Sequence, residues 1–173
     1  MRAVCGALLL LGACAEVQRP AAVELDEAPD FSLEDVNPTS PSFGDVVSPR
    51  DKLGEVSVWY FGHADCPLCQ SNFSELDRMR EQLASDGYAI EIIGINAVGK
   101  ESSNPLITDG RDLPWLQDTE DDKVWSSWLA SWRDLVVLDA NNELAWRDNL
   151  TDHDIRFTDA YDEIYQRIVE TGD

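Results

Sequence analysis

The chain has 173 residues, a formal net charge of -21 and a sequence pI near 4.1. That acidity excludes nucleic acid as a partner, because phosphates would be repelled and no basic stripe is present to neutralise them. Hydrophobic residues make up 43% of the chain, enough for one domain with a sizeable core once the N-terminal segment is set aside.

That segment reads MRAVCGALLLLGAC. An early positive charge at Arg2, an apolar stretch through Leu11 and small residues at Gly12 and Ala13 make a signal peptide, too short to span a bilayer as a mature helix. Its end, Leu11-Gly12-Ala13-Cys14, resembles the lipobox of bacterial lipoproteins. The resemblance implies that residues 1–13 are removed together with Cys5 and that Cys14 is lipidated. Ala15 rather than Asp after the cysteine then implies the outer membrane in a bacterium with two membranes. An ordinary cleaved signal that leaves Cys14 as a stray thiol is the alternative. Residues 14–28 are expected to be the lipidated cysteine and a flexible, acidic tether, and residues 29–173 the folded domain. No second hydrophobic segment is long enough to cross a membrane, so the lipid is the expected attachment.

From Asp30 the pattern changes. FSLED and GDVVS flank the Pro- and Ser-rich NPTSPSF and read as short edge strands joined by a turn-rich loop. EVSVWYF, residues 55–61, is apolar on both faces, as a central strand covered on each side should be. Pro67 suits the first turn of a helix, in which Cys69, Phe73, Leu76, Met79 and Leu83 recur at helical spacing and Gly87 marks the end. YAIEIIGIN follows as a second buried strand, making a parallel crossover over residues 55–96. Residues 97–113 read as a loop punctuated by Gly99, Pro105 and Gly110. The acids of QDTEDD precede the apolar run KVWSSWLASW and suit a helix N-terminus; they lack the spacing and glycine of a calcium loop. DLVVLD and ELAWRD flank Ala140, Asn141 and Asn142 as a hairpin, and residues 157–170 carry a final amphipathic helix. This order predicts an α/β fold, three layers around a mixed central sheet.

Cys66 and Cys69 are the cysteines left to the domain. Cys66 falls where a central strand ends and a helix begins, so unpaired N–H groups and the positive dipole end favour its thiolate, the reactive form. Cys69, one turn later, is placed to attack a mixed disulfide on Cys66 and release the partner.

On these residues the sequence resembles the thioredoxin-like redoxins, a group that includes thioredoxins, membrane-tethered thiol-disulfide oxidoreductases and peroxiredoxins. APDFSLED, EVSVWYFGHADCPLC, EIIGIN and DLVVLDANNEL fall where those proteins have similar runs. The resemblance implies a thioredoxin-like three-layer α/β/α sandwich with a mixed central sheet, Cys66 as attacking thiol, Cys69 as resolving thiol, and no cofactor. It implies as partners a protein or small-molecule disulfide and a thiol system that donates electrons. Two departures stand out. Asp65 occupies the place where thioredoxins carry Trp, and its charge opposes a thiolate. Arg133 occupies the place of the family's cis-proline, which helps dock a substrate chain.

Arg133 also resembles the arginine of peroxiredoxins, in an R-x-x-x-I-I-D-like run matched by SWRDLVVLD. That resemblance implies a thiol peroxidase, with peroxide as substrate and Arg133 stabilising the Cys66 thiolate. The peroxiredoxin Pro and Thr upstream of the cysteine are replaced by Trp59 and His63. A third reading is a copper or zinc carrier holding metal with His63, Cys66, Cys69 and His153, although copper-delivering redoxins place three residues between their cysteines. A purely structural disulfide across so short a loop would stabilise little. His63 is a candidate proton shuttle or a bystander in the loop. The six tryptophans read as core and rim packing, with Trp59 a possible lining of the site.

Overall fold

In the computed structural model of the protein the described residues are 28–172. The expected signal peptide, Cys14 and all but the last residue of the expected tether lie outside them.

Strands β1 (Leu33–Glu34) and β2 (Val46–Val47) pair antiparallel as a small sheet of their own. A 3-10 turn, Pro49–Lys52, is capped by Ser48. It leads to β3 (Ser57–Gly62), then helix α1 (Pro67–Ser85) and β4 (Glu91–Asn96). A 3-10 turn at Glu101–Ser103 runs into the short helix α2 (Asn104–Thr108), followed by β5 (Trp115–Gln117) and helix α3 (Val124–Ser127). Strands β6 (Asp134–Leu138) and β7 (Leu144–Asn149) form the hairpin, and α4 (Thr158–Gly172) closes the domain. The main sheet has the order β5-β4-β3-β6-β7. β3, β4 and β5 run parallel while β6 and β7 are antiparallel to their neighbours, so the sheet is mixed as expected.

β3 lies at the centre because both of its faces are apolar. Val58 and Tyr60 point into a core shared with Phe73, Leu76, Met79 and Leu83 of α1 and with Ile164 and Ile168 of α4. Trp59 and Phe61 point into a second core with Ile93, Ile95, Val136, Val124, Trp128, Phe31 and Leu33. Fully burying side chains of this size stabilises by about 1.5–3 kcal/mol each, which is why the helical spacing of the α1 residues dictates the face it presents. The second outer layer is thin, built from the four residues of α3 and the N-terminal segment rather than from long helices.

Helix α1 begins and ends as the sequence predicts. Pro67 is its first residue, and Gly87 adopts φ +95°, letting the Tyr88 N–H donate to the Leu83 carbonyl at 2.9 Å. Three expectations are corrected. Residues 101–108, expected as loop, contain helical turns, because Pro105 suits the first turn of α2 and Ile107 enters the core. β5 was not expected; it is a three-residue edge strand held by β4 and by the Val36 N–H, which donates to the Trp115 carbonyl at 2.9 Å. The expected helix over KVWSSWLASW stops after Ser127, where Leu129 takes a left-handed φ of +49° and the Arg147 guanidinium donates to the Trp128 and Leu129 carbonyls. Of the acids ahead of α3, buried Asp118 is the cap: it accepts from the backbone N–H groups of Thr119, Val124 and Trp125.

Candidate active site at the start of helix α1

β3 ends at Gly62, and the turn His63 to Asp65 delivers Cys66 to the N-cap of α1. The Cys66 N–H donates to the His63 carbonyl at 3.0 Å, closing the turn. The Cys66 side chain then replaces a hydroxyl or carboxylate as helix cap: its Sγ accepts the Cys69 N–H at 3.4 Å. Both cysteines are free thiols, Cys66 half-buried and Cys69 with no exposure. A negative charge on the Cys66 sulfur would sit at the N-terminus of a 19-residue helix, which favours it.

The turn is clamped from both sides. Ala64, fully buried, donates its N–H to Asn96 Oδ1 at 3.1 Å and accepts from Gln70 Nε2 at 2.9 Å. Asn96 is itself buried at the end of β4, and its amide donates to Asn104 Oδ1 and Gln117 Oε1 at 2.7 and 2.9 Å. The loop carrying the cysteines is therefore referenced to β4, β5 and α2 together.

Cys69 is surrounded by donors. The His63 N–H reaches its sulfur at 3.5 Å and the Trp132 indole Nε1–H at 2.9 Å. Burial pushes the Cys69 thiol up from its ordinary pKa; the His63 N–H, the Tyr60 hydroxyl and the Trp132 indole act the other way. Tyr60 is fully buried beside Cys69, with its hydroxyl lacking any well-directed partner among the described residues. Burial, and then the nearby Cys69, hold Tyr60 well above the ordinary phenol pKa, so a neutral hydroxyl faces the Cys69 sulfur.

His63 lies between two indoles, stacked on Trp132 with ring centroids 5.8 Å apart and tilted against Trp125 at 5.3 Å. Burial, then the Lys100 charge, push its pKa below 6.5, so the ring is neutral at neutral pH. His63 is thus at the site, by its backbone N–H on Cys69 and its ring on the two indoles. Arg133 is also behind the site, but it makes no hydrogen bond to either sulfur. It is buried, with φ +69°, and its Nε donates to Thr151 Oγ1 at 3.1 Å. Its charge acts on Tyr60, whose pKa it lowers against burial and the two cysteines. Nor are the ligands of a metal carrier assembled. His153 spends Nδ1 on Asp148 at 2.9 Å and Nε2 on Glu163 at 3.4 Å. Among the described residues no group of three or more His, Cys, Asp or Glu converges on a metal position. Trp59 donates to Ser57 Oγ at 2.9 Å inside the core and does not line the site.

Sequence reasoning missed Tyr60, Asn96, Lys100 and Trp132. Two of them carried a signal: Tyr60 puts a hydroxyl in an apolar strand, and Trp132 adjoins Arg133.

No known family profile matches the chain, and no curated protein does. Solved structures do. A thiol:disulfide interchange protein of the thioredoxin family from Chlorobium tepidum superposes with a TM-score of 0.61 at 19% identity, over 86% of this chain and 99% of that one. The chain has the thioredoxin-like fold. The thioredoxin domain of a thiol-disulfide oxidoreductase from Bacteroides vulgatus gives a TM-score of 0.60 at 16% identity, over 82% of this chain and 95% of that one. BsSco, of the Sco family of cytochrome c oxidase assembly proteins, gives 0.61 at 14% identity, over 84% and 92%. Within this thioredoxin-like frame the cysteine pair occupies the strand-to-helix junction at the end of the central strand. Among the described residues no helix is long and apolar enough to cross a membrane.

Proposed function

We propose that this protein is a thiol-disulfide oxidoreductase, with Cys66 as nucleophile and Cys69 as resolving thiol, working outside the cytoplasm and tethered to a membrane by a lipid on Cys14. The observation that carries the reading is the unequal placement of the two sulfurs: Cys66 half-buried at a helix N-terminus, Cys69 buried one turn behind it with its N–H on the Cys66 sulfur.

The Cys66 thiolate attacks one sulfur of a substrate disulfide, forming a mixed disulfide and expelling the other sulfur as a thiolate that takes up a proton. Cys69 then loses its proton and attacks Cys66 Sγ, closing the Cys66–Cys69 disulfide and releasing the remaining half of the substrate as a second thiolate. Two electrons and two protons pass to the substrate, and a thiol system reverses the steps to restore the dithiol. The substrates that suit a half-buried sulfur at a surface turn are protein or small-molecule disulfides.

An equilibrium titration of the protein against the glutathione redox pair, read by alkylation and intact mass, tests this. One two-electron transition joining Cys66 to Cys69 is the expected result, and its midpoint sets whether the pair oxidises or reduces its substrates. In the reduced form, iodoacetamide at neutral pH should modify Cys66 at least about tenfold faster than buried Cys69. Two thiols that stay reduced across the whole titration would end this reading.

A further inference from the structure

Resolution asks the less favourable sulfur to become an anion. Cys69 has no exposure and burial raises its pKa, yet it must lose a proton before it can attack Cys66. Beside the Tyr60 hydroxyl, which acts on it without a well-directed hydrogen bond, the fold supplies one directed donor, the His63 backbone N–H at 3.5 Å. A nearer one comes from the segment between α3 and β6, the Trp132 indole Nε1–H at 2.9 Å.

Core packing does not explain this indole, since Trp132 is 47% exposed. Its position is nevertheless well defined. The ring lies on His63, at an interplanar angle of 22°. Its carbonyl accepts from Asn149 Nδ2 at 3.0 Å, and the following N–H, of Arg133, donates to the Phe61 carbonyl at 2.9 Å. An indole N–H is a donor only, and hydrogen bonds to ions are the stronger ones, so this contact favours the sulfur most when it is negative.

On the dithiol reading above, we propose that Trp132 is a catalytic hydrogen-bond donor to Cys69, stabilising the charge on its sulfur while the mixed disulfide on Cys66 is resolved. The Cys69 proton leaves to solvent, the Cys69 sulfur bonds to Cys66 Sγ, the bond from Cys66 to the substrate sulfur breaks, and that sulfur departs as a thiolate. The indole neither gives up its proton nor changes oxidation state. Because Cys69 is protonated at neutral pH, the donor acts on the rate of resolution far more than on the equilibrium between dithiol and disulfide.

The test compares wild type, Trp132→Phe, Trp132→Ala and, as a control for losing an indole, Trp146→Phe on the far edge strand. Reduced protein is mixed with oxidised glutathione, quenched in acid and read by intact mass. Trp132→Phe keeps a ring on His63 but has no N–H. Its Cys66–glutathione adduct should persist about tenfold longer, with the glutathione equilibrium constant near wild type. In a Cys66→Ser background the same change should move the pH profile of Cys69 alkylation upward. Trp132→Ala should also expose Cys69 to reagent, and Trp146→Phe should behave as wild type. An adduct lifetime and Cys69 profile unchanged in Trp132→Phe would overturn the proposal. Wild-type protein that never forms the Cys66–Cys69 disulfide would instead overturn the dithiol reading beneath it.

Discussion

The Lys100 ammonium lies 2.6 Å from the Asp65 carboxylate, so the residue just before Cys66 enters the site as half of an ion pair. The hydrogen bond from Lys100 holds the Asp65 carboxyl below the usual carboxylate range. The repulsion that Asp65 threatens to exert on a Cys66 thiolate is thereby opposed by a cation from the loop that follows β4.

Removing that partner should expose the repulsion. Lys100→Met is expected to slow Cys66 alkylation at neutral pH by about twofold to fivefold, with the deficit shrinking as salt is added. Adding Asp65→Asn should restore the wild-type rate. Stopped-flow alkylation of the two variants checks both statements, and an equal rate in Lys100→Met and wild type would refute them.

Asn96 holds the turn that leads to Cys66 from beneath. Asn96→Ala leaves the buried Ala64 N–H without its acceptor, while Asn104 Oδ1 keeps the Trp115 indole N–H and Gln117 Oε1 keeps the Asn104 amide, at a cost of about 1–3 kcal/mol in urea unfolding. Cys69 should also become alkylable in the native protein, because the turn over it loosens.

Gly94, on β4, is a packing requirement. A Cβ there would overlap the six-membered ring of Trp115 and lie 2.8 Å from Phe73 Cε2. Gly94→Ala is therefore expected to destabilise by at least about 1–3 kcal/mol, although alanine is ordinarily the better residue in a strand. A midpoint of urea unfolding equal to wild type would contradict it.

The lowered pKa of His63 has a direction in pH. Below 6.5 the unfolded chain takes up this proton before the folded one does, so the contribution of His63 to stability is present above 6.5 and is lost as pH falls through its lower folded value. A protonated imidazole also quenches a stacked indole. Tryptophan emission of the folded protein should fall with acidification at a midpoint below 6.5, and His63→Gln should abolish the step.

Several elements were legible from single residues. Cys69, Phe73, Leu76, Met79 and Leu83 at helical spacing, with Pro67 before and Gly87 after, specify α1 because only one face of a helix can meet the core. The two-faced burial of β3 follows from a run with no polar side to turn outward. Other boundaries had no local signal. β5 is three residues of edge strand that exist because β4 offers hydrogen bonds. α3 ends where Arg147, from another element, binds the carbonyls of Trp128 and Leu129 just beyond it.

For the site the division is similar. Local chain chemistry determined the cysteine spacing, the helix start at Pro67 and hence which sulfur caps the helix, since those contacts lie within a few residues of one another. The tertiary structure alone decided that Lys100 meets Asp65, that Asn96 holds Ala64, that Trp132 and Tyr60 flank Cys69, and that Arg133 and His153 do not join the sulfurs. Lys100, Asn96 and Trp132 stand more than thirty positions from Asp65, Ala64 and Cys69, and no periodicity in a sequence encodes which distant loops a sheet will bring to one end of its central strand.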